Sequence, residues 1–265
     1  MADTLLFRVE NGVGWIVLNR PEARNAMNAE MRQAYLDALA RCAEDAEVRA
    51  VVLTATGKGF CTGADLSGSR AATGSTAAPG PGDTRTAMQP SQRVIRTLWE
   101  LEKPTLAAVN GVAAGLGAHL AYACDLVLAA DDARFIEVFV RRGIAVDAGG
   151  AFLLPRHVGL HKAKELVFFG DDLSAADAER LGLVNKVVPA GELEATAREW
   201  AERLARGPTF ALGLSKRLLN RSLEADLATC FSEEAFTQAL VAQSDDMREG
   251  IRAFMEKRPA AFRGR

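Results

Sequence analysis

The sequence predicts an α/β fold, on three observations. Apolar runs of strand length alternate with stretches whose apolar residues recur at helical spacing, the pattern of parallel strands joined by right-handed crossovers. Two of those strands break into glycine-rich loops. After about Ser174 the chain is almost wholly of helical periodicity.

The elements follow in order. Leu5–Val9 and Val13–Leu18 read as a hairpin joined by Glu10-Asn11-Gly12. Asn28 is an N-cap for a helix with Met31, Tyr35, Leu36 and Leu39 on one face. Ala50–Ala55 is a buried strand, Ser91–Leu101 a helix, Thr105–Val109 a strand, Gly115–Ala123 a helix and Asp125–Ala129 a strand. Gly68–Pro90, rich in Gly, Ala, Ser, Thr and Pro, reads as a long loop, either a functional lid or disordered. Helices are expected over Ala190–Arg206, Pro208–Asn220, Leu223–Ala242 and Asp245–Lys257. This divides the chain into a core, residues 1–190, and a C-terminal helical region, 191–265, with no linker between them.

Composition narrows the function classes. The 265 residues are 49% hydrophobic and 25% charged, with a formal net charge of −2. That is enough chain for a sizeable buried core, and the balance lacks the basic excess of a general nucleic-acid binder. No apolar run approaches the ~20 residues of a membrane span, and Met1-Ala2-Asp3-Thr4 shows neither a basic n-region nor an apolar h-region, so secretion is not expected. Cys42, Cys61, Cys124 and Cys230 are scattered without a C-x-x-C pair. Four reduced thiols in a cytoplasmic protein are expected, with Cys61 a small filler.

The chemistry lies in the two glycine-rich breaks. Val51-Val52-Leu53-Thr54 runs into Gly57-Lys58-Gly59-Phe60-Cys61-Thr62-Gly63-Ala64-Asp65-Leu66, and Leu106-Ala107-Ala108-Val109 into Asn110-Gly111-Val112-Ala113-Ala114-Gly115-Leu116-Gly117-Ala118-His119. Each exposes main-chain N–H groups where side chains are small. Two such donors aimed at one point form an oxyanion hole, which stabilises charge developing on a carbonyl or thioester oxygen.

In this order, G-K-x-F-x-x-G-A-D-L and A-V-N-G-x-x-x-G-x-G resemble the crotonase (enoyl-CoA hydratase/isomerase) superfamily. The resemblance extends from Leu18-Asn19-Arg20-Pro21-Glu22-Ala23-Arg24-Asn25-Ala26-Met27 to the basic end around Lys257 and Phe262. It implies a spiral of strand-strand-helix repeats with a C-terminal helical region, an acyl-CoA substrate, and a homotrimer or dimer of trimers. It also implies no separate cofactor, coenzyme A being carried by the substrate, and no metal, nucleic-acid or membrane partner.

Residue-by-residue matching implies oxyanion N–H groups at Ala64 and Leu116. It places one side of the CoA rim at Glu22, Ala23 and Arg24, and the other at Ala64, Asp65 and Leu66. Lys257, Phe262 and Arg263 match the end that family members offer to the CoA phosphates of an adjacent subunit; the alternative is a solvated tail.

The acid–base groups depart from the family's hydratase pattern. The first of the two hydratase glutamates falls on His119 and the second on Phe139. One carboxylate remains, Asp147 in Gly143-Ile144-Ala145-Val146-Asp147-Ala148-Gly149-Gly150, which resembles the single-aspartate branch exemplified by ring-1,2-epoxyphenylacetyl-CoA isomerases. Asp147 is read as a proton shuttle or, alternatively, as a helix N-cap. His119 is read as a second acid–base group or as a polar lining residue. The acyl pocket is expected at the Gly68–Pro90 loop, Phe139, Val140 and the C-terminal helices.

The favoured reaction is one-base double-bond isomerisation; hydration at the same site, or acyl-CoA binding without catalysis, are the alternatives. A dinucleotide site fails because Leu120 stands where G-x-G-x-x-G needs its third glycine. A His157/His161 metal site lacks H-E-x-x-H, and no G-x-S-x-G is present for a serine thioesterase.

Overall fold

The computed structural model describes residues 3–66 and 80–265. The hairpin forms as expected: β1 (Leu5–Glu10) pairs antiparallel with β2 (Val13–Leu18). Its tight turn is Asn11-Gly12, both at positive φ, the two residues a type I′ turn demands. Helix α1 (Ala29–Glu44) starts at Asn28, whose side chain accepts from the Met31 N–H at 2.8 Å. It buries Met31, Tyr35, Ala38, Leu39 and Cys42.

Beyond α1 the chain repeats one unit. A strand of a large sheet is followed by a short strand of a second sheet and then by a helix. The first repeat is β3 (Ala50–Ala55), β4 (Gly59–Cys61) and α2 (Pro81–Trp99). The second is β5 (Thr105–Val109), β6 (Val112–Ala114) and α3 (Leu116–Ala123). The third is β7 (Leu126–Ala130), β8 (Arg134–Ile136) and α4 (Gly150–Val158).

Helix α5 (Leu160–Phe169), β9 (Asp172–Ser174), α6 (Ala175–Arg180) and β10 (Lys186–Val188) complete this part. The large sheet has the order β1-β2-β3-β5-β7-β10 and the small one β4-β6-β8-β9. From β2 to β10 the large sheet is parallel, and so are β4, β6 and β8. Three parallel neighbours therefore end side by side, about 4.8 Å apart.

Helix α7 (Leu193–Ala205) buries Leu193, Ala197, Ala201 and Ala205 in the common core, a four-residue spacing that keeps all four on one face. Helices α8 (Thr209–Ser222), α9 (Leu227–Val241) and α10 (Asp245–Glu256) follow. Lys216 on α8 is tied to the sheet through Asp125 at 3.0 Å.

Several elements differ from the sequence reading. Helix α2 begins at Pro81, not Ser91. Pro81 stands at the first helical position, where no N–H is missed. The Asp83 carboxylate accepts from the Gly80 N–H at 3.1 Å, and Arg85, Ala87, Met88 and Gln89 are good helix formers. Pro90 lies inside this helix. The rest of the expected 68–90 loop, with its lid, lies outside the described residues apart from Gly80.

The family resemblance implied the second strand of each repeat, but the short strands of the small sheet could not be placed one by one, because three residues carry no readable periodicity. Strand β10, which pairs with β7, interrupts the expected all-helical C-terminal third for the same reason.

Asn25 fastens the segment before α1 to the β3–β4 connection. It is fully buried, its Oδ1 accepts from the Arg20 N–H at 2.8 Å, and its Nδ2 donates to the Thr56 and Gly59 carbonyls at 2.9 and 2.8 Å. Asn25→Ala orphans these groups and should lower the unfolding free energy by about 1–3 kcal/mol or more. Asn28→Ala removes only a cap and should cost about 1 kcal/mol. Urea denaturation of the two variants checks the ordering.

Candidate active site

The ends of β4, β6 and β8 build the site. Each strand stops where glycine or a polar residue interrupts the apolar run, and the parallel register brings the three exits together. After β4 come Gly63 and Ala64. After β6 come Gly115 and Leu116. After β8 come Glu137, Val138 and Phe139.

Backbone hydrogen bonds lock these exits. Gly115 N–H donates to the Ile136 carbonyl at 2.9 Å, Met27 N–H to Gly63 at 2.8 Å, and Asp65 N–H to Met27 at 3.0 Å. A Cβ on Gly117 would run into the Cys61 carbonyl oxygen, so only glycine lets α3 start this close to β4.

Two donors are left over. Among the described residues, neither the Ala64 N–H nor the Leu116 N–H gives a hydrogen bond within the chain. They belong to adjoining loops: a Cβ placed on Gly63 would lie 3.2 Å from the Ala114 oxygen and 3.9 Å from the Leu116 nitrogen. Leu116 is the first residue of α3, so the helix dipole adds positive potential at its N–H. Cys61, fully buried beside them, has its thiol pushed up to about 11 by desolvation, which suits a filler and not a nucleophile.

Asp147 precedes α4, but not as its cap. The helix begins at Gly150 with Gly149 in the capping position and no side-chain cap bond. Only the Asp147 main-chain carbonyl takes part, accepting from the Gly150 N–H at 2.9 Å. This corrects the N-cap alternative: Ala148 and Gly149 both adopt positive φ, 44° and 82°, and the turn they make uses up the capping position.

Positive φ at an alanine stores strain of order 1–3 kcal/mol. The half-buried Asp147 carboxyl is raised above its ordinary value, first by desolvation; His119 opposes the rise and Glu137 adds to it.

His119 lies one turn into α3, fully buried and stacked on Phe139 at 5.5 Å between ring centroids. Its Nε2 meets Glu137 Oε2 at 3.1 Å. Glu137 is only 3% exposed and was missed by the sequence analysis. The signal was available: one acidic residue inside Phe135-Ile136-Glu137-Val138-Phe139 has to find a partner.

Of the other expected site residues, Phe139 is buried and Val140 exposed. The Glu22–Arg24 segment lies against the oxyanion-type loop, since Thr62 N–H donates to the Arg24 carbonyl at 3.2 Å. Asp65 is held by Arg20 at 2.9 Å, and Leu66 is exposed.

Lys257, Phe262 and Arg263 lie elsewhere. The Phe262 carbonyl accepts from Arg49 at 3.2 Å and Arg263 N–H donates to Asp246 at 2.6 Å. Arg49 precedes β3, whereas the loop leading to Ala64 leaves its other end. At about 3.3 Å per residue the two ends of that strand are roughly 20 Å apart. Among the described residues no group of three His, Cys, Asp or Glu is arranged to hold a metal, and no helix is long and apolar enough to cross a membrane.

The main-chain N–H groups of Ala64 and Leu116 thus stand at adjoining exits of a small parallel sheet, and the fold around them is that of a known enzyme class. The sequence profile of the enoyl-CoA hydratase/isomerase family matches residues 8–265, and the chain belongs to that family and is an enzyme of it. It is 38% identical over 265 residues to the 1,2-epoxyphenylacetyl-CoA isomerase of Escherichia coli K12, covering all of both chains. It is 36% identical to the short-chain-enoyl-CoA hydratase of Clostridium acetobutylicum, over 97% of this chain and 96% of the other. The crystal structure of an enoyl-CoA hydratase/isomerase from Cupriavidus metallidurans CH34 superposes with a TM-score of 0.91 at 41% identity, covering 99% of this chain and 97% of that one.

The raised Asp147 carboxyl has a consequence for stability. Its contribution is fully present below the unfolded-state pKa, near 3.8, and is lost as pH rises through the higher folded value. Asp147→Asn should therefore have a higher thermal midpoint than the wild type at pH 7, and the difference should shrink toward pH 3.5. Thermal melts of both proteins at the two pH values test this; an Asn variant less stable at pH 7 would mean that the carboxylate makes a stabilising contact.

Proposed function

We propose that this enzyme isomerises the double bond of an enoyl-CoA thioester with a single base. The thioester oxygen takes the Ala64 and Leu116 N–H groups. Charge developing there in an enolate meets two fixed donors and a helix N-terminus. Asp147 removes a proton from the carbon alpha or gamma to the thioester and returns it to the other. The observation that carries this reading is the Asp147 carboxyl itself, half-buried, raised in pKa and not spent on capping the helix that follows it. A base of this kind works best with a pKa near the working pH, and a mere acyl-CoA carrier has no use for one.

A second reading, enoyl-CoA hydration through Asp147, His119 and a water, is favoured by the His119–Glu137 contact, which would supply a second acid–base group. Coenzyme A would lie along Glu22–Arg24 and Ala64–Leu66, with Phe139 and Val140 facing an apolar acyl chain or ring.

Lys257, Phe262 and Arg263 would serve the site of a neighbouring subunit in a trimer. Large apolar residues left exposed on α8, α9 and α10, among them Leu219, Phe236 and Phe254, suit a second copy of the chain. Sedimentation should give a trimer or its dimer.

Isomerisation of 3-enoyl-CoA and hydration of 2-enoyl-CoA, assayed side by side, test the ordering; hydration much the faster would reverse it. Asp147→Asn should keep acyl-CoA affinity and lose about 10²–10⁴-fold in turnover. Calorimetry should find acetoacetyl-CoA bound far more tightly than acetoacetate, since much of the affinity belongs to the nucleotide end; equal affinity would overturn the CoA assignment.

A further inference from the structure

We propose that Glu137 is a positioning residue for proton transfer, holding His119 by Nε2 in one tautomer and one orientation against the turn that carries Asp147. The proposal rests on the acyl-CoA reading above and adds to it a carboxylate that neither the family motifs nor the sequence analysis singled out.

The geometry is specific. Glu137 follows the last residue of β8 and is buried between apolar neighbours, with His119 Nε2 against Oε2 at 3.1 Å. Among the described residues, two polar atoms of this pair, His119 Nδ1 and Glu137 Oε1, are buried without a hydrogen-bond partner. A pair retained only for stability would satisfy such atoms or give way to apolar side chains of similar volume.

The surroundings are shaped around the ring. Phe139 stacks on one face. A Cβ on Gly150, the first residue of α4, would collide with Cε1 and Nε2. The imidazole edge is thus pressed against the turn that carries Asp147. Tyr122, 6.2 Å away between ring centroids, has its phenol held well above 10 by burial and stays neutral.

With Glu137 as the carboxylate, Nε2 carries the proton and donates it, and Nδ1 keeps a free lone pair. Asp147 takes the proton from the acyl carbon and returns it to the other, and the imidazole held by Glu137 keeps the surroundings of that carboxyl fixed while it does so. Only bonds to hydrogen form and break, and nothing is oxidised or reduced.

The chain has three histidines, so a ring-15N spectrum is readily assigned with His→Gln variants. In the wild type His119 should show Nε2 protonated and Nδ1 bare, and Glu137→Gln should lose that fixed state. Solvent-deuterium exchange into bound enoyl-CoA should fall about 10–100-fold in Glu137→Gln, the range found when a partner that orients a working group is lost. Acyl-CoA affinity should stay unchanged, and Glu137→Asp should recover part of the rate. In a His119→Gln background Glu137→Gln should cost nothing further, because residues that act as one unit are not additive.

A wild-type His119 protonated on Nδ1 in place of Nε2, wild-type exchange in Glu137→Gln, or an undiminished effect in the His119→Gln background would each overturn the proposal. The spectrum is read on the folded wild type, so it decides even if a variant fails to fold. Wild-type exchange in Asp147→Asn would instead sink the assignment of the base.

Discussion

The close contact between the start of α3 and the end of β4 is the constraint on which the rest of the site depends. Gly117 has no side chain, so the helix backbone lies against the Cys61 carbonyl, and the N-terminus of α3 adjoins the Gly63-Ala64 loop. Parallel register does the remainder: β4, β6 and β8 end together, a general way for an α/β sheet to gather groups from distant parts of a chain. Because both unspent donors are main-chain N–H groups, their position is set by strand and helix geometry. The buried Asn25 extends this control to the segment before α1, which also supplies Met27 as the bridge partner of Ala64. The loop is hydrogen-bonded to Met27 on both flanks of Ala64, through the Gly63 carbonyl and the Asp65 N–H.

The electrostatics follow from that frame. A helix N-terminus carries roughly half a positive charge, and Leu116 presents it. Asp147 sits on a turn with strained backbone at Ala148, where desolvation dominates and raises its carboxyl. The turn is tolerated because α4 packs behind it: Leu153 and Leu154 are buried, and Gly150 gives His119 the room a methyl group would take. Fold and chemistry are coupled here, since the glycine that admits the imidazole also begins the helix that fixes Asp147.

Much of this was legible in the sequence, for identifiable reasons. The hairpin, α1, β3, β5 and α3 announce themselves through Asn-Gly, an Asn cap, and apolar runs of full length. The glycine-rich exits at Gly63 and Gly115 were readable because backbone chemistry leaves its mark in small residues. Other elements left no such mark. β4, β6, β8, β9 and β10 are each three residues long, too short for a period to appear. The early start of α2 was obscured by Pro81, Gly82 and Pro90, residues that ordinarily argue against a helix. For Asp147 the cap stayed open as an alternative to the proton shuttle, because the sequence does not reveal that the next two residues turn left-handed. Glu137 was passed over because its partner, His119, is distant in sequence and close only through the pairing of β6 with β8.

That pairing also bears on why the acid–base groups differ from the family's two-glutamate pattern. Two carboxylates sharing a site repel when both are ionised, which pushes their pKa values apart and favours a site with water to soften the repulsion. Here the first position holds His119 and the second Phe139, and besides Asp147 a carboxyl group stands two residues before Phe139, at Glu137. An imidazole and a carboxyl group can instead share a hydrogen bond, here 3.1 Å between Nε2 and Oε2, and the pair is buried almost completely, with the Phe139 ring covering the imidazole. Phe139 thus puts an apolar ring where the family's hydratase pattern has a carboxylate, and the carboxyl that this segment does carry, Glu137, is turned to the imidazole.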